Sequence, residues 1–243
     1  MLQALRYLRA AFGEFYFDLP RMFLLNIFWF LTALPFIGVL FVLTLAIRGE
    51  TPAPWPVIAV QGVVLGALAL ALAGPGTAAI YYVTNRLANG ELLETRRFWS
   101  AFKHFFWRGW LLGLANAGTG ALLVLNIWFY WTLDRPGSWI LGIIFTYLLV
   151  MWMAIQSYLY SLLVEMDQAV RLVIRNALFM ALDNLGLTLG LMLVNVLVLG
   201  ISLVPGAFLL AFATMSLLSI VNNKAVVEAI NRYREAGRII TGS

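Results

Sequence analysis

The chain has 243 residues, 63% of them hydrophobic and only 11% charged, with a formal net charge of +5 and no cysteine. A charged share less than half that of a soluble domain means that water is not the main solvent of this surface. The missing cysteines exclude disulfides, thiolate metal sites and a cysteine nucleophile. The basic residues flank apolar stretches, where they meet anionic headgroups, so the expected partner is a lipid bilayer and not nucleic acid.

Residues 2 to 19 place Leu5, Leu8, Phe12, Phe15 and Leu19 at spacings of three or four, with Arg6, Arg9 and Glu14 between them, which predicts an amphipathic helix on the inner membrane surface. Six apolar stretches follow: Met22 to Ile47, Pro56 to Val83, Trp107 to Trp131, Ser138 to Val164, Leu185 to Leu203 and Gly206 to Val221. The expected fold is an all-α polytopic transmembrane bundle of six spans, with five as the alternative. It forms one membrane domain: interfacial helix 1–21, bundle 22–221, cytoplasmic tail 222–243. With the N-terminus inside, fourteen basic residues fall on inner segments and only Arg48 and Arg135 on outer ones, a strong positive-inside bias that puts both termini in the cytoplasm.

Pro35 in the first span and Gly74-Pro75-Gly76 in the second predict kinks, because proline removes a helix hydrogen bond and clashes one turn back. Trp107 and Trp110 at one end of the third span and Trp128 and Trp131 at the other lie about one membrane thickness apart, as interfacial tryptophans do. Residues 185 to 221 are too long for one crossing, so a break near Val204-Pro205-Gly206 is expected. The segments around Arg96 to Arg108 and Arg171 to Asp183 read as amphipathic helices on the inner face, and no internal repeat stands out.

Leu25-Asn26-Ile27-Phe28-Trp29, Leu34-Pro35, Gly74-Pro75-Gly76-Thr77-Ala78-Ala79-Ile80-Tyr81-Tyr82-Val83 and Phe98-Trp99 with Ala101-Phe102-Lys103 resemble the YesL-like family of bacterial membrane proteins over roughly residues 20 to 110. That resemblance implies a multi-pass protein of the bacterial cytoplasmic membrane without assigned enzymatic activity, often associated with carbohydrate uptake systems.

No acidic residue lies within a span and Arg108 stands at the inner end of the third, which argues against a proton-coupled carrier or an intramembrane enzyme. No cofactor or metal is expected, and His104, the single histidine, is expected to pack at the interface without an acidic partner. Two sites remain as candidates. The first is a polar and kinked region of Asn26, Pro35, Gln61, Gly74, Pro75, Gly76, Thr77, Tyr81, Tyr82 and Asn116, whose amides must find partners inside the membrane. The second is a partner surface of Arg86, Arg97, Phe98, Trp99, Phe102, Lys103 and Phe105, with the small-residue seam of Gly109 and Gly113. It suits transporter subunits or, through the seams, a second copy of the chain. The leading expectation is a non-enzymatic accessory protein; the alternative is a small-solute carrier with Asn26, Gln61 and Asn116 along its path.

Overall fold

A computed structural model describes residues 2–48, 54–203 and 210–235, and all the structure assigned there is helical. The order is α1 Leu2–Phe17, α2 Leu19–Arg48, α3 Trp55–Ala88, α4 Arg97–His104, α5 Phe106–Thr132, α6 Ser138–Met166, α7 Val170–Asp183, α8 Leu185–Leu203, a π-helical turn Leu210–Thr214, and α9 Met215–Glu235. Among the described residues, five helices are long and apolar enough to cross a membrane: α2, α3, α5, α6 and α8. The expected turn at Val204-Pro205-Gly206 lies outside the described residues. Helix α9 runs unbroken through Val221 and Asn222.

Helices α2, α5 and α8 each follow a short amphipathic helix across a single residue. Asp18, Phe105 and Asn184 are these joints, and each makes the same two bonds. Its N–H donates to the carbonyl four residues back (Glu14, Ala101, Met180), and its carbonyl accepts from the N–H four residues on (Met22, Gly109, Thr188), at 2.7–3.1 Å. The chain is therefore three copies of one unit: amphipathic helix, outer helix, inner helix. The units are α1-α2-α3, α4-α5-α6 and α7-α8-α9. Their contacts are cyclic. The inner helices α3, α6 and α9 touch one another; each also packs against the amphipathic and outer helices of the next unit, α3 with α4 and α5, α6 with α7 and α8, α9 with α1 and α2. The absence of a repeat expected from the sequence is thus corrected: the geometry repeats while the residues at equivalent contacts differ.

Enclosure decides composition. Residues 216 to 223 of α9 are all buried, including Ser216, Ser219, Asn222 and Asn223, so this helix can be polar without exposing polar groups to lipid. The outer helices carry exposed apolar side chains such as Phe41, Leu122 and Leu197, as do the early turns of α3 and α6, at Leu68 and Ile140. Trp107, Trp128 and Trp131 are exposed near the ends of α5, whereas Trp110 turns inward and donates from Nε1 to the Ala67 carbonyl. On α1 the face of Ala4, Tyr7 and Ala11 is buried against the bundle, and Leu5 and Phe12 are left outside.

Neither proline interrupts its helix: α2 passes through Pro35 and α3 through Gly74–Gly76. The Thr77 hydroxyl donates to the Ala73 carbonyl at 2.8 Å and accepts from Trp29 Nε1 at 3.0 Å, a link that ties α2 to α3 just past Pro75.

Candidate functional site at the basic end of the bundle

At the Gly74-Pro75-Gly76 stretch α3 crosses the backbone of α5 and receives a side chain of α2. A Cβ on Gly74 would stand 2.4 Å from the Gly109 carbonyl oxygen, one on Gly109 would meet Pro75 Cα at 2.9 Å, and one on Gly76 would meet Thr32 Oγ1 at 1.9 Å. Gly113 lies along the same seam, 3.6 Å from Gly74 Cα by the same measure. Gly109 and Gly113 therefore face α3 of their own chain and are removed from the partner surface, since backbone already fills the groove they open. The crossing fixes α3 rotationally and so aims the next two turns: Tyr81 into the core, Tyr82 and Arg86 toward the basic end.

The core between the inner helices is polar. Asn222 Nδ2 donates to the Tyr81 hydroxyl at 3.0 Å, and Asn223 Nδ2 donates to the Tyr81 carbonyl and the Thr84 hydroxyl at 2.8 and 2.9 Å. Asn195 Nδ2 bonds the Ser157 hydroxyl and Asn222 Oδ1, and the Tyr81 and Tyr160 rings lie 5.7 Å apart. Sequence reasoning placed Asn222 and Asn223 in a cytoplasmic tail. Their adjacency to Lys224 suggested solvent, and only the helical phase shared with buried Ser219 and Val226 hinted otherwise.

The other expected polar residues do not join this core. Asn26 Oδ1 accepts from the Ser216 N–H at 2.9 Å, at the junction of the π turn with α9. Asn116 and Gln156 exchange reciprocal amide bonds at 2.8–2.9 Å between α5 and α6. Gln61 and Pro35 are exposed on α3 and α2. These four stand in separate helix pairs or on the outside, so they do not form one lining.

At the basic end, α3 stops in a Schellman arrangement. Gly90 has φ of 82°, its N–H bonds the Leu87 carbonyl, and the Glu91 N–H bonds the Arg86 carbonyl, the pattern that lets a left-handed residue satisfy the last carbonyls. The loop that follows is pinned by charge. Glu91 takes Arg86 at 2.7 Å and Arg97 at 3.8 Å, and Arg97 also holds Glu94 at 2.9 Å. The Arg97 bond, reinforced by its charge, holds the Glu94 carboxyl below its ordinary pKa. Within this braced loop Leu92 is 84% exposed. On α4, Trp99 and Lys103 are exposed and Phe102 is half-buried, whereas Phe98 and Phe105 are fully buried. Phe98 and Phe105 thus leave the expected partner surface, because they anchor α4 to the core and no partner could reach them.

Helix α6 ends at Asp167, whose φ of 50° makes it the one non-glycine left-handed residue among those described. Its carboxylate pairs with Arg108 at 2.7 Å and with His104 Nε2 at 3.2 Å. This corrects the expectation that His104 lacks an acidic partner: α6 returns from the far end to deliver one. A cleft of about 440 Å³ opens beside it, lined by Tyr82, Arg86, Ser100, Ala101, His104, Phe105, Val164 and Asp167. Arg86 spans its edge, donating to the Tyr82 hydroxyl at 2.8 Å with its guanidinium 5.1 Å from that ring. Among the described residues no group of three or more histidine, cysteine or acidic side chains is placed to hold a metal.

The family described as "Protein of unknown function, DUF624" matches residues 22–127, a stretch that contains the glycine crossing, the braced loop and α4. Neither the curated proteins nor the solved structures include a match to this chain.

Proposed function

We infer that this multi-pass membrane protein is a non-enzymatic accessory subunit. In this reading it has six crossings, both ends on the cytoplasmic side of a bacterial membrane, and docks a partner of a carbohydrate uptake system. The supporting observation is the braced loop. Three ion pairs and a Schellman cap hold an almost bare leucine beyond the end of α3, and the following α4 exposes Trp99 and Lys103. Exposed ion pairs contribute little to stability, about 0–1 kcal/mol each, and burying Leu92 would gain roughly 2 kcal/mol. A loop ordered at that entropic cost and presenting unburied apolar surface suits recognition. The carbohydrate setting rests on the resemblance of the first half of the chain, and the six crossings rest on α9 repeating the place of α3 and α6.

The carrier alternative would require Asn26, Gln61 and Asn116 along one path; two of them are committed to separate partners and one faces outward. The test is photo-crosslinking in native membranes from a reactive residue at position 92 or 99, with position 141 on α6 as control. The expected product is a defined adduct with a transporter subunit from the first two positions and only lipid from the third. Lipid adducts alone from all three, together with solute flux in reconstituted vesicles, would overturn the accessory reading.

A further inference from the structure

The cleft under α4 has a counterpart. A second cleft of about 340 Å³ lies under α1, lined by Arg6, Tyr7, Ala10, Ala88, Lys224, Val227, Glu228 and Asn231. The two occupy equivalent places in the threefold arrangement. Each sits between an amphipathic helix, the inner helix of the preceding unit and the inner helix of its own: α4, α3 and α6 for the first, α1, α9 and α3 for the second. In each, the preceding inner helix contributes residues one turn apart, Tyr82 and Arg86 in one, Lys224 and Glu228 in the other.

Both clefts share a chemical plan that the fold does not require. Each has a floor of small or apolar side chains, Ala101, Phe105 and Val164 in one and Ala10, Ala88 and Val227 in the other. Each has both signs of charge at its edge: Arg86 and Asp167 in the first, Arg6, Lys224 and Glu228 in the second. Each keeps donors to spare. A guanidinium has five N–H groups, and Arg86 donates to only two side chains, Glu91 and Tyr82. In the second cleft the Tyr7 hydroxyl is buried beside Arg6 and Glu228, and Arg6 donates to Glu228 from one guanidinium nitrogen, leaving its other N–H groups toward the cleft. Both clefts sit where helices carrying exposed apolar residues meet the basic end of the bundle.

We propose that the two clefts are equivalent sites for the phosphoammonium headgroup of a zwitterionic amphiphile. The phosphate lies toward Arg86, Ser100 and His104 in one cleft and toward Arg6, Lys224 and Tyr7 in the other. The ammonium lies toward Asp167 and Glu228. The charges at both edges are already paired, Asp167 with Arg108 and His104, Arg86 with Glu91, Arg6 with Glu228 and Lys224 with Glu14, so a purely anionic headgroup would displace a carboxylate and a purely cationic one a basic group; a ligand carrying both charges can enter and leave every charge with a partner. Accessory docking is a separate matter, since these sites would serve a carrier equally well.

The test is native mass spectrometry of the full chain, delipidated in detergent and titrated with phosphatidylethanolamine, phosphatidylglycerol or soluble phosphoethanolamine. Two phosphatidylethanolamines are expected to be retained at collision energies that strip phosphatidylglycerol, with one lost in Arg86→Gln, one in Lys224→Gln and both in the double variant. Arg135→Gln, in the opposite loop, should retain two. Ser100→Leu and Ala10→Leu, at exposed positions lining the clefts, fill the space without touching an ion pair and should each remove one lipid. Competition by millimolar phosphoethanolamine would identify the free headgroup as sufficient; no competition would assign the sites to the lipid itself. Retention that does not distinguish the two lipids, or that survives both cleft-filling variants, overturns the proposal.

Discussion

Replacing Gly74 by alanine tests the backbone crossing on which the site is built. The added methyl would lie 2.4 Å from the Gly109 carbonyl oxygen and 2.9 Å from its carbon, against about 3.5 Å for comfortable contact. The obstacle is backbone, so no side-chain rotation relieves it; α3 and α5 must separate by roughly 1 Å. Overpacking costs about 1–3 kcal/mol, and a rigid obstacle belongs at the upper end, about 3 kcal/mol. Alanine's helix propensity returns about 1 kcal/mol, leaving a net loss of about 2 kcal/mol, or roughly thirtyfold in the folding equilibrium. Gly66→Ala on the same helix is the control: nothing lies within 4 Å of its built Cβ, so the propensity term acts alone and the variant should match or exceed the parent. The assay is loss of helical circular dichroism during titration from mild detergent into dodecyl sulfate, followed for all three proteins. Equal midpoints for Gly74→Ala and Gly66→Ala would refute the crossing.

Asn223→Ala should cost about 1–2 kcal/mol in the same titration, because it strips the Thr84 hydroxyl and the Tyr81 carbonyl of an interhelical donor. Asn126→Ala, whose amide bonds only its own helix at Leu122, should cost almost nothing, and comparable losses would show that the inner-helix core carries no special weight. Tyr233 is partly buried and its hydroxyl bonds Asp183, both of which raise its pKa above the ordinary phenol value. A raised folded-state pKa means that the stabilisation is complete below about pH 10 and disappears as pH climbs through the folded value. Thermal melts should therefore rank the parent above Tyr233→Phe at pH 8 and bring the two together in strong alkali; a gap independent of pH would exclude this contact as a titrating one.

The parts of the fold that face lipid were readable from the chain because lipid imposes one rule on every side chain that touches it. Trp107, Trp128 and Trp131 are exposed near the two ends of α5, and at the basic end ion pairs tie α1 to α9, through Arg6–Glu228 and Lys224–Glu14, and the start of α5 to the end of α6, through Arg108–Asp167. What the pattern could not convey was which residues meet each other. Gly109 and Gly113 read as a docking seam because small residues admit any helix; that the helix is the chain's own α3 depends on Gly74 and Pro75, 34 or more positions earlier. Phe98 and Phe105 read as surface because they alternate with charges, yet helical phase turns them onto the core and leaves Trp99 and Lys103 outside. His104 and Asp167 lie 63 residues apart in sequence, and only the antiparallel return of α6 makes them partners.

Helix α9 shows why hydropathy undercounts a bundle with a closed centre. Hydropathy measures how well a segment tolerates lipid, and α2, α5 and α8 must tolerate it, whereas an inner helix need only match its neighbours. Helix α3 meets both demands by changing character along its length: exposed Val63, Val64 and Leu68 come early, and buried Tyr81, Thr84 and Asn85 come later. Helix α9 keeps only the second character. Its buried amides find donors and acceptors on α3 and α8, so the polarity that disqualifies it as an isolated span is the same polarity that specifies its neighbours. The three units thus differ in sequence, with Asp18, Phe105 and Asn184 at their joints, while sharing the backbone bonds of the joint and an inner helix that meets the next unit.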